Sequence, residues 1–105
     1  MADPRVAKFA KVLVEHSTRI VPGDRVLIEA TTAAEPLVRE LIIQILQKGG
    51  HPHPLIMLPD FNYPDHEELL LTYGNDVQLG FVPSFFKLAY DQFESRIRIH
   101  SATNP

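Results

Sequence analysis

The amino-acid sequence predicts an α/β fold in which a small parallel sheet of about three strands carries helices on both faces. Three segments have the hydrophobic pattern of strands, at residues 25–30, 51–58 and 95–100. Segments with helical periodicity precede and separate them. Strands joined by helices usually run parallel, and right-handed crossovers place the helices on the faces of the sheet. We therefore predict a three-layer domain with strand order 2-1-3, which is half of a doubly wound fold.

The first helix is predicted to run from Asp3 to about Thr18. Asp3 is a suitable N-cap, and Pro4 suits the first helical position because it has no N–H to lose. A turn at residues 21–24 then separates this helix from the first strand. One apolar stripe with helical spacing consists of Val6, Phe9, Ala10 and Leu13.

The first strand, at residues 25–30, is the most apolar of the three, so we place it at the centre of the sheet. A loop at residues 31–34 leads out of it. Thr32 and Glu35 have the spacing of a capping box, and Pro36 falls in the first turn of the following helix. The sequence therefore predicts a second helix that begins close to Thr32.

The second helix has the broadest apolar face in the chain, and two glycines at residues 49–50 end it. The strand at residues 51–58 contains Pro52 and Pro54, which cannot donate to a ladder. It is therefore either an edge strand or one that begins only at Leu55. The apolar face of the second helix consists of Leu37, Val38, Leu41, Ile42, Ile45 and Leu46.

The second half of the chain predicts a short helix at residues 66–73 capped by Asp65, a turn at 76–79, a longer helix opened by Pro83, and a strand at 95–100. That strand alternates polar and apolar residues, which is typical of a strand with one solvated face. We predict that most aromatic side chains of this half lie in the core: Phe61, Tyr63, Phe81, Phe85, Phe86, Tyr90 and Phe93.

The polar side of the last strand predicts that the chain belongs to a longer protein. Arg96, Arg98 and His100 share that side. Three parallel strands usually sit inside a larger sheet. Either this strand lies at an edge, or polypeptide outside the sequence covers it. We therefore expect residues 1–105 to form a single α/β domain of something longer.

Composition excludes several functional classes. The chain has 105 residues and no cysteine, which rules out disulfides and cysteine metal sites. Ten Lys and Arg residues against thirteen Asp and Glu residues give a net charge of −3, which disfavours a nucleic-acid partner. The sequence has neither a signal peptide nor a segment long and apolar enough for a membrane, so we expect a cytoplasmic protein.

The best-placed polar residues for a ligand are Glu29, Thr31 and Thr32. They stand at the carboxyl end of the central strand, where open parallel sheets bind ligands. No glycine-rich phosphate-binding motif accompanies them, so a dinucleotide or triphosphate is not expected. A structural role, with Thr32 as a helix cap, is the plainer interpretation.

Other candidate sites are weaker. His51 and His53 project to the same side of a strand, but two histidines fall short of the three or four ligands of a metal site. Loop aromatics such as Phe61 and Phe81 could form a docking surface. A cluster of four acidic residues and one histidine stands at a predicted helix start and is typical of a solvated helix terminus. Its members are Asp60, Asp65, His66, Glu67 and Glu68.

A series of short motifs, in order along the chain, resembles the amino-terminal region of the thermophilic-metalloprotease aminopeptidases. This leucyl aminopeptidase-like family includes the aminopeptidase T and aminopeptidase S types. The resemblance covers residues 3–58 and resumes weakly at the last strand. The motifs are Asp3-Pro4, Ala10-Lys11-Val12-Leu13-Val14, the stretch 21–28 (Val-Pro-Gly-Asp-Arg-Val-Leu-Ile), Glu35-Pro36-Leu37-Val38-Arg39, and Gly49-Gly50-His51-Pro52.

This resemblance implies a metal-dependent exopeptidase that removes amino-terminal residues from peptides. Such enzymes use two divalent ions, usually zinc, cobalt or manganese, to activate a water molecule. Their metal ligands belong to a carboxy-terminal region, and no part of that motif has a counterpart in this sequence. The resemblance therefore implies an accessory domain without catalytic or metal-binding residues of its own. Its partners would be its own catalytic domain, peptide substrates and a second copy in a homodimer.

Two alternatives without catalysis stay open. One is a binding module that holds a small anion at the Glu29–Thr32 end of the sheet. The other is an interaction module that uses the aromatic loop at residues 59–64 and the open edge of the last strand.

Overall fold

The computed structural model describes residues 4–61, 63–81 and 84–99, with the side chain of residue 63 left out. In chain order, the elements are α1 (Pro4–Val12), a π-helical turn (Leu13–Ser17), β1 (Arg25–Thr31), a 3₁₀ turn (Thr32–Ala34), α2 (Glu35–Gln47), β2 (His51–Met57), α3 (Tyr63–Tyr73), α4 (Asp76–Leu79), α5 (Ser84–Gln92) and β3 (Ser95–Arg98).

The three strands form one parallel sheet in the order β2-β1-β3, which confirms the predicted fold class and strand order. β2 begins at His51 and lies at an edge, so the alternative start at Leu55 is wrong. The N–H of His51 donates to the carbonyl oxygen of Asp24 over 2.7 Å. Successive N–H groups of a strand point to opposite sides. Because the N–H of His51 faces β1, the positions of Pro52 and Pro54, which have no N–H, face the open edge of the sheet.

The hydrophobic core lies between one face of the sheet and the helices α1 and α2. Val26, Ile28 and Ala30 of the central strand point into it, and Ile97 of β3 joins them. On the opposite face, Tyr90 of α5 lies against the guanidinium of Arg96. The helical members of the core are Ala10, Val14, Ala34, Val38, Leu41 and Ile45, and Ile20 completes it from the loop before β1.

Two residues of the predicted apolar stripes lie at the surface instead. Phe9 is 53% exposed and Leu46 is 58% exposed. In the first helix the register changes at Leu13, where the α-helix passes into a π-helical turn and brings Val14 into the core. In α2 the buried face is narrower than the predicted apolar face, because only Val38, Leu41 and Ile45 are buried.

The two ends of α2 differ in how well the sequence predicted them. The expected capping box of Thr32 and Glu35 is wrong, because a 3₁₀ turn intervenes and Ala34 becomes the N-cap. Pro36 does fall in the first turn. At the other end Gly49 adopts a φ of +84°, and its N–H and that of Gly50 close the helix in a Schellman motif, as the glycines predicted.

The second half of the chain corrects several predictions. The third helix begins at Tyr63, so Asp65 lies inside it and is not its cap. The turn at Asp76–Leu79 is a short helix with a capping box of Asn75 and Gln78. The predicted core position of the aromatics is wrong for Phe81, Phe85 and Tyr90, each more than half exposed. The predictions for Asp3, Pro83 and His100 fall outside the described residues.

The starts of β1 and β3 are joined by an ion pair between Arg25 and Glu94. The Glu94 carboxylate accepts from both the backbone N–H and the side chain of Arg25. These hydrogen bonds hold the pKa of Glu94 at about 2, below its ordinary value of 4.5. A carboxyl group whose pKa is lower in the folded state than in the unfolded state stabilises the folded state at pH values above the unfolded-state pKa. This contribution is lost as the pH falls toward 2.

We expect Glu94→Gln to lower the stability of the protein at pH 7, because the variant keeps the shape of the side chain but not its charge. The difference from the wild type should shrink between about pH 4.5 and pH 2, as the wild-type carboxyl becomes protonated. Urea denaturation at pH 7, 4 and 2 measures this. A difference that stays constant across that range would show that the charge of Glu94 contributes nothing.

Candidate functional site

Glu29 lies on the face of the sheet opposite the core, next to two arginines of β3. Its side chain is 15% exposed, and its Oε1 atom lies 3.2 Å from Nε of Arg96 and 3.4 Å from Nη2 of Arg98. Parallel pairing puts Glu29 opposite Arg98, so these side chains point to the same face. The N–H of Ile99 also donates to the carbonyl oxygen of Glu29 over 2.8 Å. Glu29 is therefore held by β3 on both its backbone and its side chain.

Thr31 and Thr32 lie in a different place. They stand at the mouth of a cavity of about 420 Å³ between α2 and β2, which Glu29 does not line. The walls of this cavity are mainly apolar, and its charged members, Glu35 and Arg39, pair with each other over 2.9 Å. Its remaining lining residues are Val38, Ile42, Pro54 and Ile56. The cavity offers a shallow, mainly apolar surface that Thr31 and Thr32 help to line.

The structure therefore does not bring the three predicted site residues together around one cavity. β1 ends at Thr31, and the chain turns there toward the α2 side of the sheet while Glu29 stays on the opposite face. Two features stand at these residues: the cavity lined by Thr31 and Thr32, and the cluster of Glu29 with two arginines.

Sequence reasoning missed the partners of Glu29. Arg96 and Arg98 were identified only as the solvated face of the last strand. The signal that could have connected them is the alternation of side chains along a strand, because Glu29, Arg96 and Arg98 all fall on the sheet face opposite the core residues Val26, Ile28, Ala30 and Ile97. Tyr90 adds to the cluster, with its ring 4.2 Å below the Arg96 guanidinium. Such a contact fixes the position of the guanidinium.

The histidines and acids of the described residues do not assemble into a metal centre. His51 and His53 are both exposed, and the ring of His53 packs edge-on against Phe93 at 5.6 Å. Within residues 4–61, 63–81 and 84–99, no three His, Asp or Glu side chains come together in a way that could hold an ion. A catalytic divalent ion needs three protein ligands or more. The donors of the described chain therefore do not fit the metal that the resemblance implies.

The helices α3, α4 and α5 contribute surface and no core. None of their described residues is buried, and Leu71, Val77 and Leu88 are at least half exposed. Phe61 is partly buried and bridges back to Leu58. The acidic residues at the start of α3 are exposed. Exposed apolar side chains of this kind mark interaction sites where they form one continuous patch.

No helix in the described part of the chain combines the length and the apolar content that crossing a bilayer requires. A search of the curated proteins finds no relative that matches this chain. A comparison with protein families gives a match to the thermophilic metalloproteases (M29) that extends over residues 2–105. This match reaches beyond residues 3–58, where the motifs were strongest, and includes all three strands of the sheet. The chain therefore belongs to the thermophilic metalloprotease (M29) family.

Proposed function

We propose that this chain is the amino-terminal accessory domain of a metal-dependent aminopeptidase, and that the metal-binding catalytic region lies outside residues 1–105. The observation that carries the proposal is a family match along the chain together with a described structure that assembles no metal-ligand group. Membership of a metalloprotease family implies that the complete enzyme uses a metal. The histidines and acids of the described residues do not supply its site.

The parent enzyme removes amino-terminal residues from peptides in the cytoplasm, with two divalent ions such as zinc, cobalt or manganese. This part of the proposal rests on the resemblance of the motifs at residues 3–58. The proposal gives Glu29, Thr31 and Thr32 no catalytic role. Their position at the carboxyl ends of the strands suits a wall of the substrate cleft. There they would contact a bound ligand without taking part in the reaction.

The role of this domain follows from its exposed surface. Two helices cover one face of the sheet, whereas the described part of α3–α5 exposes large apolar side chains and buries none. Docking of the catalytic region on this surface would remove those side chains from water. The domain would thereby stabilise the catalytic region and shape access to it, and the same surface could serve a homodimer of the longer protein.

The coding sequence that follows codon 105 tests this assignment. We expect it to encode a larger region with clustered Glu, His and Asp residues, and the protein encoded by the whole gene to release amino-terminal residues only when a divalent ion is present. Deleting residues 2–105 from that protein should impair its solubility or activity. A gene that continues without such a region would remove the enzyme assignment and favour an interaction module built on α3–α5.

A further inference from the structure

We propose that Arg98, together with Arg96, forms a binding site for a carboxylate ligand on the face of the sheet opposite the core. The first observation is an imbalance of charge. Two guanidinium groups share the single carboxylate of Glu29, and both approach the same oxygen, Oε1. The cluster therefore keeps one positive charge in excess. One further monoanion would neutralise it.

The geometry leaves donors for that anion. A guanidinium has five N–H donors arranged as a planar fork. The contact from Arg98 to Glu29 uses Nη2 at 3.4 Å, longer than the 2.7–2.9 Å or so of a strong charge-assisted bond. The Arg98 side chain is also 50% exposed, so its fork can reach solvent while it stays next to Glu29.

The other members of the cluster are already fixed, which lowers the cost of binding. Arg96 is only 27% exposed and lies between Glu29 and the ring of Tyr90. Glu29 is 15% exposed and is tied to β3 through its backbone. Groups that are ordered before the ligand arrives do not lose further conformational entropy on binding.

The position in the fold suits a ligand. In the order β2-β1-β3 the chain leaves β1 toward one side of the sheet and later returns on the other. The crevice between β1 and β3 is therefore the switch point at which open α/β sheets bind ligands. Glu29 and Arg98 face each other there, close to the carboxyl ends of both strands.

The excess of one positive charge favours a carboxylate over a dianionic phosphate. A planar carboxylate can accept two parallel N–H bonds from one guanidinium. A second carboxylate beside Glu29 would give two arginines and two carboxylates, a neutral arrangement of alternating charge. The terminal carboxylate of a short peptide has this chemistry, and the binding does not depend on the catalytic region proposed above.

Nuclear magnetic resonance titration of the 105-residue chain tests the site. The probes are acetate, N-acetyl-dialanine with a free carboxylate, its neutral carboxyl-terminal amide, and inorganic phosphate, each up to about 50 mM. We expect the carboxylates to shift the backbone amide signals of residues 27–30 and 96–99 with saturation, and the amide to leave them in place. The peptide's carboxylate should bind more tightly than acetate if adjacent surface contributes.

Arg98→Gln should weaken carboxylate binding about tenfold or more, because it removes a charge-assisted donor pair. Arg98→Lys keeps the charge and loses the fork, so we expect an intermediate loss. Arg39→Gln is the matched control, since Arg39 is also an exposed arginine paired with one glutamate, on the α2 side of the sheet. It should bind like the wild type.

Four results would overturn the proposal. They are no shift with either carboxylate, equal shifts with the neutral amide, tighter binding of phosphate, and unchanged binding in Arg98→Gln. Amide signal dispersion verifies that each variant is folded. If Arg98→Gln does not fold, the comparison of Arg98→Lys with Arg39→Gln decides, and equal affinities there would count against the site.

Discussion

Replacing Leu41 with alanine should lower the free energy of unfolding by about 2–5 kcal/mol. Leu41 is fully buried in the core between α2 and the sheet. The substitution removes apolar contacts and leaves a cavity that the surrounding side chains fill only in part. Ile45→Ala should have an effect of the same size, because Ile45 lies one turn further along the same buried face.

Leu46→Ala is the matched control for this prediction. It makes the same chemical change in the same helix, but Leu46 is 58% exposed. We expect a loss of at most about 1 kcal/mol there. Urea denaturation followed by circular dichroism measures the variants side by side. If Leu41→Ala cost less than about 1 kcal/mol, or no more than Leu46→Ala, the assigned buried face of α2 would be wrong.

Gly50→Ala should lower the free energy of unfolding by about 1–3 kcal/mol, because the added methyl group would overpack the junction of α2 and β2. An alanine Cβ at this buried position would lie 2.9 Å from Cγ2 of Ile45 and 3.2 Å from both the carbonyl oxygen of Asp24 and Cγ2 of Ile20. That oxygen accepts the first hydrogen bond of β2, from His51. The clash therefore reaches the core and the sheet together.

Gly80→Ala provides the comparison, since a Cβ there meets nothing closer than 3.5 Å. Its effect on stability should be small. Thermal or urea denaturation of both variants measures the difference. Equal stabilities of Gly50→Ala and Gly80→Ala would mean that the chain around Gly50 moves aside without loss, and that the close packing of Gly50 on Ile45 is not needed for the fold.

The parts of the fold that the sequence predicted are those that depend on local pattern. The apolar run of β1 indicated a central strand, and the alternation at residues 95–100 indicated a strand with one solvated face. Pro52 and Pro54 indicated either an edge strand or a strand that begins only at Leu55, and the edge position is the alternative that the structure confirms. Gly49 marked the end of α2, since its φ of +84° suits a residue without a side chain.

The parts that were not predicted depend on contacts between distant segments. Thr32 has the spacing of a cap, but the 3₁₀ turn after β1 moves the helix start to Glu35. Phe85 and Tyr90 look like core residues in the sequence, yet each stays more than half exposed in the described chain. Glu29 and Arg98 are 69 residues apart. Their pairing follows only from the register of β1 with β3, which no local pattern reveals.

The most direct test of the central claim is the hydrolysis of amino-acid p-nitroanilides by this 105-residue chain in the presence of added Co²⁺. The claim is that the chain is a supporting domain whose own residues assemble no catalytic metal centre. We predict no release of p-nitroaniline above that in Co²⁺ solution alone. A metal-dependent rate that increases in proportion to the concentration of the purified chain would contradict the claim.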